Sequence, residues 1–328
     1  MLHDAMFYEK HNNGKVKCYL CPHNCLIADG SFGLCSVRTN KEGELKTINY
    51  GEITSIAEDP IEKKPLYHFK PGKKILSAGS FGCNFTCDFC QNYSIAQFKP
   101  ESKYLSPDKL IDIMLSIEDN VGIAFTYNEP SIWYEYIFDT AKRLKEKKPD
   151  LNVVLVTNGY IESEPLAKLL PYVDAMNIDL KSFQEQYYKK VAGGELKSVL
   201  RTIESSYDKT HIEITTLMVN GLNDSKEEIK EIASFLGSLD RNIPLHLTRY
   251  FPTYKMKNPS TELTKMTAGK EVAEKYLNYV YLGNVAYEAS THCPRCNKLL
   301  VERNGYSAKV FLKENKCPEC GFDIKLIL

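Results

Sequence analysis

The 328-residue chain carries 42 Lys+Arg against 42 Asp+Glu, so no net field draws it to nucleic acid or an anionic membrane. The N-terminus, Met1-Leu2-His3-Asp4-Ala5, lacks a basic segment followed by an apolar stretch, and no run approaches the roughly eighteen apolar residues of a membrane helix. A cytoplasmic protein with room for a large core and more than one domain is expected.

Eleven cysteines fall into three groups: Cys18, Cys21, Cys25 and Cys35; Cys83, Cys87 and Cys90; and Cys293, Cys296, Cys317 and Cys320. An odd total in such clusters predicts metal ligation in a reducing compartment, not disulfides. Residues 1–72 read as a small β-rich extension. Asn13-Gly14 between Phe7-Tyr8 and Val16-Lys17 is a hairpin signal, as is Asn40-Lys41-Glu42-Gly43 between Ser36-Val37 and Leu45–Ile48. The four thiols here form a candidate metal site, with zinc and an auxiliary iron–sulfur cluster both chemically open. His23 is a substitute ligand or a packing residue.

Residues 73–289 repeat a strand–loop–helix pattern. Apolar runs at 75–78, 122–125, 153–156, 175–178, 212–217, 245–247 and 280–282 alternate with helical stretches at 109–117, 132–145, 164–170, 195–204, 227–239 and 270–277. Ser106-Pro107 places a cap before a first-turn proline, and Ser225-Lys226-Glu227-Glu228 reads as a capping box. The alternation predicts parallel strands joined by helical crossovers; with no G-x-G-x-x-G after the first strand, a partial (β/α)6 TIM-like barrel fits better than a dinucleotide fold.

After the first strand comes Gly82-Cys83-Asn84-Phe85-Thr86-Cys87-Asp88-Phe89-Cys90, with its thiols at C-x3-C-x2-C spacing. Thiolates are soft ligands for iron–sulfur clusters, and three of them leave one iron of a [4Fe–4S] cluster open. A zinc knuckle completed from elsewhere is the alternative. Polar residues follow the later strands too: Thr126-Tyr127-Asn128-Glu129-Pro130, Thr157-Asn158-Gly159, Asp179-Leu180-Lys181, Met218-Val219-Asn220-Gly221 and Thr248-Arg249-Tyr250. All would stand on the C-terminal rim of a barrel, where active sites form.

The cysteine spacing with Phe89 before Cys90 resembles the signature of radical S-adenosylmethionine (SAM) enzymes. The resemblance implies a [4Fe–4S] cluster on Cys83, Cys87 and Cys90, SAM on the open iron, a 5′-deoxyadenosyl radical, and a low-potential donor of the ferredoxin or flavodoxin kind. Asn128-Glu129-Pro130 is similar to the motif that meets the methionine amino group, although Tyr127-Asn128 departs from the usual Gly-Gly. Glu129 also reads as the cap of the helix that follows. Asp179-Leu180-Lys181 resembles the Asp-x-Lys of pyruvate formate-lyase activating enzymes, where the lysine meets the carboxylate. Phe89, Thr157 and Asn158 complete the implied SAM contacts, with Thr216, Leu217, Met218 and Val219 near the adenine; Thr216 reads equally as a β-branched core residue. Asp59–Gly72, His246–Pro252 and Val280–Val285 resemble more narrowly the radical enzymes of the AmmeMemoRadiSam system, whose name implies AMMECR- and Memo-type partners. Arg249, Tyr254 and His246 are the substrate-side candidates, although His246 at a strand end reads rather as a core histidine. Lys63 and Lys64 receive no role.

In residues 290–328, Cys293-Pro294-Arg295-Cys296 and Cys317-Pro318-Glu319-Cys320 are two knuckles with twenty residues between them. That is the spacing of a four-thiolate zinc ribbon, with rubredoxin-like iron as the alternative. Lys298, Arg303, Lys309 and Lys313 are interleaved with Glu302 and Glu314, so no specific nucleic-acid binding is expected. An electron-transfer protein without SAM chemistry is the competing class, and it would need neither Glu129 nor Lys181.

Overall fold

The computed structural model describes residues 2–312 and 314–328; Met1 and Lys313, both cited above, lie outside the described residues. Its centre is an open sheet of eight strands: β1 (Ser55–Pro60), β2 (Lys74–Gly79), β3 (Asn120–Phe125), β4 (Asn152–Thr157), β5 (Ala175–Asp179), β6 (His211–Met218), β7 (Leu245–Arg249) and β8 (Val280–Gly283). Strands β2 to β8 run parallel in sequential order, while β1 pairs antiparallel with β2. Among the described residues, six helices of seven residues or more connect the parallel strands: α1 (Pro107–Leu115), α2 (Tyr134–Lys147), α3 (Ser163–Leu169), α4 (Leu196–Ser206), α5 (Lys226–Leu239) and α6 (Leu263–Ala273). This is the expected partial barrel. Its strands are apolar runs because both faces are covered: Ile75, Leu76 and Ala78 in β2 and Ile123, Ala124 and Phe125 in β3 are all buried.

The helices bury one stripe each, as with Leu196, Val199 and Ile203 of α4. Ser106 and Ser225 cap α1 and α5 through the N–H groups of Lys109 and Glu228. Glu228 does not complete the box; its carboxylate crosses to the Ser182 hydroxyl and the Phe183 N–H. The last helix lies earlier than the expected 270–277, because Met266, Gly269 and Ala273 form its buried stripe among threonines and lysines that obscure the period.

The boundary expected at residue 72 does not hold. Ser55–Pro60 is an edge strand of the main sheet, and the segment after it seals the barrel floor, where the N–H groups of Tyr67 and His68 donate to the buried Glu213 carboxylate at 2.9 and 2.6 Å. Ahead of it stand two three-stranded antiparallel sheets. In the second hairpin the strands run to Lys41 and from Glu44, so Glu42-Gly43, both at positive φ, make the turn.

Residues 291–310 form a three-stranded antiparallel sheet with its own apolar cluster around Leu300, Val301 and Ile324. It docks beneath the barrel: Arg303 donates to the Tyr67 carbonyl and stacks on its ring, and the Ile327 N–H donates to the His68 carbonyl at 2.8 Å. No helix among the described residues is long and apolar enough to cross a membrane.

Candidate functional site

A cavity of about 490 Å³ opens at the C-terminal ends of the parallel strands. Cys83, Cys87, Phe89 and Cys90 line it together with Asn128, Glu129, Thr157, Asn158, Asp179 and Lys181. The cysteine loop is fixed from several strand ends. Asn128 accepts from the Ser80 N–H at 2.9 Å and donates to the Gly82 carbonyl at 3.2 Å. Asn158 donates to the Asn84 side chain at 2.8 Å and approaches the Cys83 sulfur at 3.8 Å. From the loop after β5, the Ala192 carbonyl accepts the Thr86 N–H, and from the loop after β7, Lys255 and Met256 donate N–H groups to the Asp88 carbonyl.

Burial is the chief cause that pushes the thiols up: Cys83 well above its usual value, Cys87 to about 12, and Cys90 in the same direction. Left alone they are neutral; iron supplies the positive charge that makes such thiols thiolates. Three thiols facing one cavity, with both oxygens of the neighbouring Glu129 already engaged, fit a cluster that keeps one iron open.

Lys181 is no solvated surface lysine. It is buried, its ammonium lies 2.8 Å from Asp179 Oδ2, and it sits 5.7 Å from the Phe89 ring centre. Burial works against its charge, but Asp179 and Cys87 outweigh burial and raise its pKa well above the usual range. Glu129 is likewise buried. It accepts from the Ser131 N–H, the Thr157 hydroxyl and the Asn158 N–H at 2.9, 2.6 and 2.8 Å, so it caps the turn at Pro130–Trp133 and faces the cavity at once.

Several expected residues lie elsewhere. Thr216 and Met218 point away from the cavity: the Thr216 hydroxyl donates to the Leu180 carbonyl, and Met218 packs toward α6 near Gly269. Leu217, expected beside them, does line it, together with the unexpected Thr215, since successive strand residues face opposite sides. The parity was readable, because Ile212 and Ile214 mark the helix-facing side and Glu213 and Thr215 the interior. His246 is buried in the barrel floor against Glu213 at 2.6 Å, which is the core-histidine reading and not a rim position. Arg249 donates to the Thr261 carbonyl and lies over the Phe251 ring, and Tyr254, at φ +53°, stacks on Tyr93 at 4.5 Å; neither lines the cavity. Lys63 and Lys64 do line it. Lys64 is a buried partner of Asp59, whose carboxylate also accepts from the Tyr127 hydroxyl at 2.8 Å. Only the resemblance of their segment hinted at this.

The terminal thiol groups differ. Cys293, Cys296, Cys317 and Cys320 form the only group among the described residues whose ligand atoms converge on a single-ion distance, with sulfur pairs at 3.6 Å. Burial raises Cys317, but the N–H groups of Cys320 and Glu319 outweigh it and hold that thiol down at about 7. Cys18, Cys21, Cys25 and Cys35 line a small cavity of their own.

A family model described as the radical SAM superfamily matches residues 79–236. An uncharacterized protein of Methanocaldococcus jannaschii is 39% identical over the full length of both chains. A putative glycyl-radical enzyme activating enzyme of the same organism is 30% identical across 61% of this chain and 77% of its own. Among solved structures, Streptococcus suis SuiB bound to the precursor peptide SuiA aligns with a TM-score of 0.51 and 15% identity, over 68% of this chain and 51% of that one, a likeness of fold.

Proposed function

We propose a function from one premise: the chain belongs to the radical SAM superfamily of enzymes. It reductively cleaves SAM and uses the resulting 5′-deoxyadenosyl radical to take hydrogen from a substrate. The observation that carries this reading is the meeting of three cysteine thiols, Glu129, and the Asp179–Lys181 pair around one cavity. When bound, the cluster and SAM together supply one-electron cleavage of the sulfonium, with methionine and the radical as products.

The chain's own residues hold and orient. Cys83, Cys87 and Cys90 would ligate the cluster. Lys181, kept charged by Asp179, is the cation for the methionine carboxylate, and Phe89 fixes that ammonium from one side. Glu129 and Asn128 face the amino group, with Thr157 and Asn158 near the ribose. Thr215 and Leu217 take the adenine side in place of Thr216 and Met218. Arg249 and Tyr254, in the segment at the end of β7, are the substrate-side residues of this reading, acting outside the cavity lining. The C-terminal thiols hold structural zinc, and a ferredoxin- or flavodoxin-like protein supplies electrons.

The activating-enzyme relative favours a narrower reading of the same chemistry, in which hydrogen is taken from a protein. An electron-transfer protein would need no buried, carboxylate-paired lysine beside the thiols.

The test is anaerobic reconstitution followed by assay for 5′-deoxyadenosine with a low-potential reductant. Product is expected from the wild type and none from Cys87→Ala; iron-loaded wild type that yields none rejects the reading. Faster turnover on adding an AMMECR- or Memo-type protein would identify those proteins as partners.

A further inference from the structure

The N-terminal thiols have a setting that the reaction above does not use. Cys18, Cys21, Cys25 and Cys35 surround an enclosed cavity of about 10 Å³, the space open to a water-sized sphere. A four-thiolate zinc site leaves no such space, because Zn–S bonds of about 2.3 Å bring the sulfurs to roughly 3.8 Å, in contact with one another. The C-terminal thiols of this same chain show that contact, and the N-terminal ones do not converge in that way. A cluster of several irons spreads its thiolates around a core of metal and sulfide and keeps the space between them.

Two further observations point to an anionic group here. Backbone N–H groups of His23, Leu34 and Val37 are directed at the sulfurs of Cys21, Cys25 and Cys35. Arg38 is 1% exposed, lines the cavity, and brings Nη1 within 3.9 Å of the Cys18 sulfur. Its Nε is buried with no hydrogen-bond partner among the described residues. Glu135 balances part of the guanidinium charge from the outer side.

The pocket abuts the radical-site loop. His23 Nε2 meets the Asn84 carbonyl at 2.7 Å, next to Cys83. Gly82, at φ +88°, lies against Cys35: a Cβ there would come within 2.8 Å of the Cys35 carbonyl oxygen and 2.5 Å of Val37.

We propose that Cys18, Cys21, Cys25 and Cys35 ligate a second iron–sulfur cluster that relays electrons to the cluster held by Cys83, Cys87 and Cys90. One electron enters from a low-potential protein donor, reduces the N-terminal cluster and passes on, with no bond made or broken in the protein. The relay rests on the proposed function; the cluster itself does not, and its test counts iron, not product.

The experiment compares reconstituted wild type with the Cys83→Ala/Cys87→Ala/Cys90→Ala variant. The triple variant should keep iron and sulfide equal to one cluster and give an EPR signal on reduction; adding Cys21→Ala and Cys35→Ala should remove both. A triple variant that has folded, as shown by retained C-terminal zinc, but carries no iron overturns the proposal, as does a second zinc in its place. Should it not fold, wild-type iron decides: more than one [4Fe–4S] complement supports the second cluster, and one complement rejects it. The fully reduced wild type should show a spectrum broadened by spin coupling that sharpens in each single-cluster form. Two uncoupled signals would refute the relay.

Discussion

Each end of the chain gathers four thiols, and the two sets differ in spacing and in neighbours. At the C-terminus, two Cys-x2-Cys knuckles bring sulfurs to 3.6 Å on a small sheet whose apolar cluster is its own. Apart from Arg303, which is buried where the segment docks beneath the barrel, it pairs charges at the surface, like Lys298 and Glu319 at 3.8 Å. At the N-terminus the spacing widens to Cys-x2-Cys-x3-Cys-x9-Cys, the sulfurs stand around a hollow, and a fully buried arginine faces them. There Cys18 and Cys21 share the barrel's core cluster, and Cys35 packs with Val37, Phe81 and Ile132. Equal numbers of thiols therefore do not mean equal sites. Sulfurs in contact suit one ion that staples a thin core; sulfurs around a hollow beside a buried cation suit a larger anion tied to the main body.

Metal removal should separate the two most strongly. Zinc binding can supply on the order of 10 kcal/mol to a small four-ligand module. Anaerobic zinc chelation should therefore unfold residues 290–328 while the barrel stays intact, read as hydrogen exchange or proteolysis confined to that segment. Protection retained at zero zinc would mean that the apolar cluster suffices. Next in size, Arg38→Met strands Glu135, whose carboxylate also accepts the Met6 N–H at 2.8 Å. Breaking a buried pair costs about 3–5 kcal/mol, so the urea midpoint should fall accordingly. A loss below about 1 kcal/mol would show that the cation is not needed near the thiols.

Much of this was legible in the chain. Seven apolar runs became β2 to β8, because strands covered on both faces must be continuously apolar. The three-thiol loop, Glu129, Asp179 and Lys181 meet because strand ends share a rim. What was not legible depended on side-chain direction or on distant partners. Of the expected adenine-side residues Leu217 lines the cavity, while Thr216 and Met218 alternate away from it and Thr215 takes their side. His246 admitted a rim and a core reading because its strand ends three residues later, and its inward turn to Glu213 of the neighbouring strand β6 decides for the core. Lys64 could not be placed without knowing that β1 folds back along β2 and brings Asp59 to Tyr127.

The docking of the C-terminal segment adds a smaller, pH-dependent effect. His68 bonds the Tyr281 hydroxyl at 2.7 Å and the Lys325 carbonyl at 3.1 Å, and burial holds its imidazole down at about 3 although Glu213 pulls the other way. The unfolded chain takes up that proton near pH 6.5, so the native state loses stability as pH falls from there toward 3, by about 1.4 kcal/mol per unit. His68→Gln should abolish this component. Between pH 7 and pH 5.5, urea denaturation of the wild type should lose about 1–2 kcal/mol more than the variant; equal losses would mean that His68 titrates normally.

The smallest effect tests the comparison from the other side. If metal and the docking contacts hold the C-terminal segment, its surface charge does not. Lys298 and Glu319 side chains are about half and two-thirds exposed, 49% and 66%, and water screens such pairs. Lys298→Ala should therefore shift stability by no more than about 0.5 kcal/mol and leave the zinc content unchanged. Arg38 and Glu135, by contrast, are 1% and 4% exposed, so their charges have only each other, the Cys18 sulfur and a few backbone groups. A Lys298→Ala loss as large as that of Arg38→Met would mean that ion pairing, and not four thiols closing on one ion, keeps the C-terminal knuckles together.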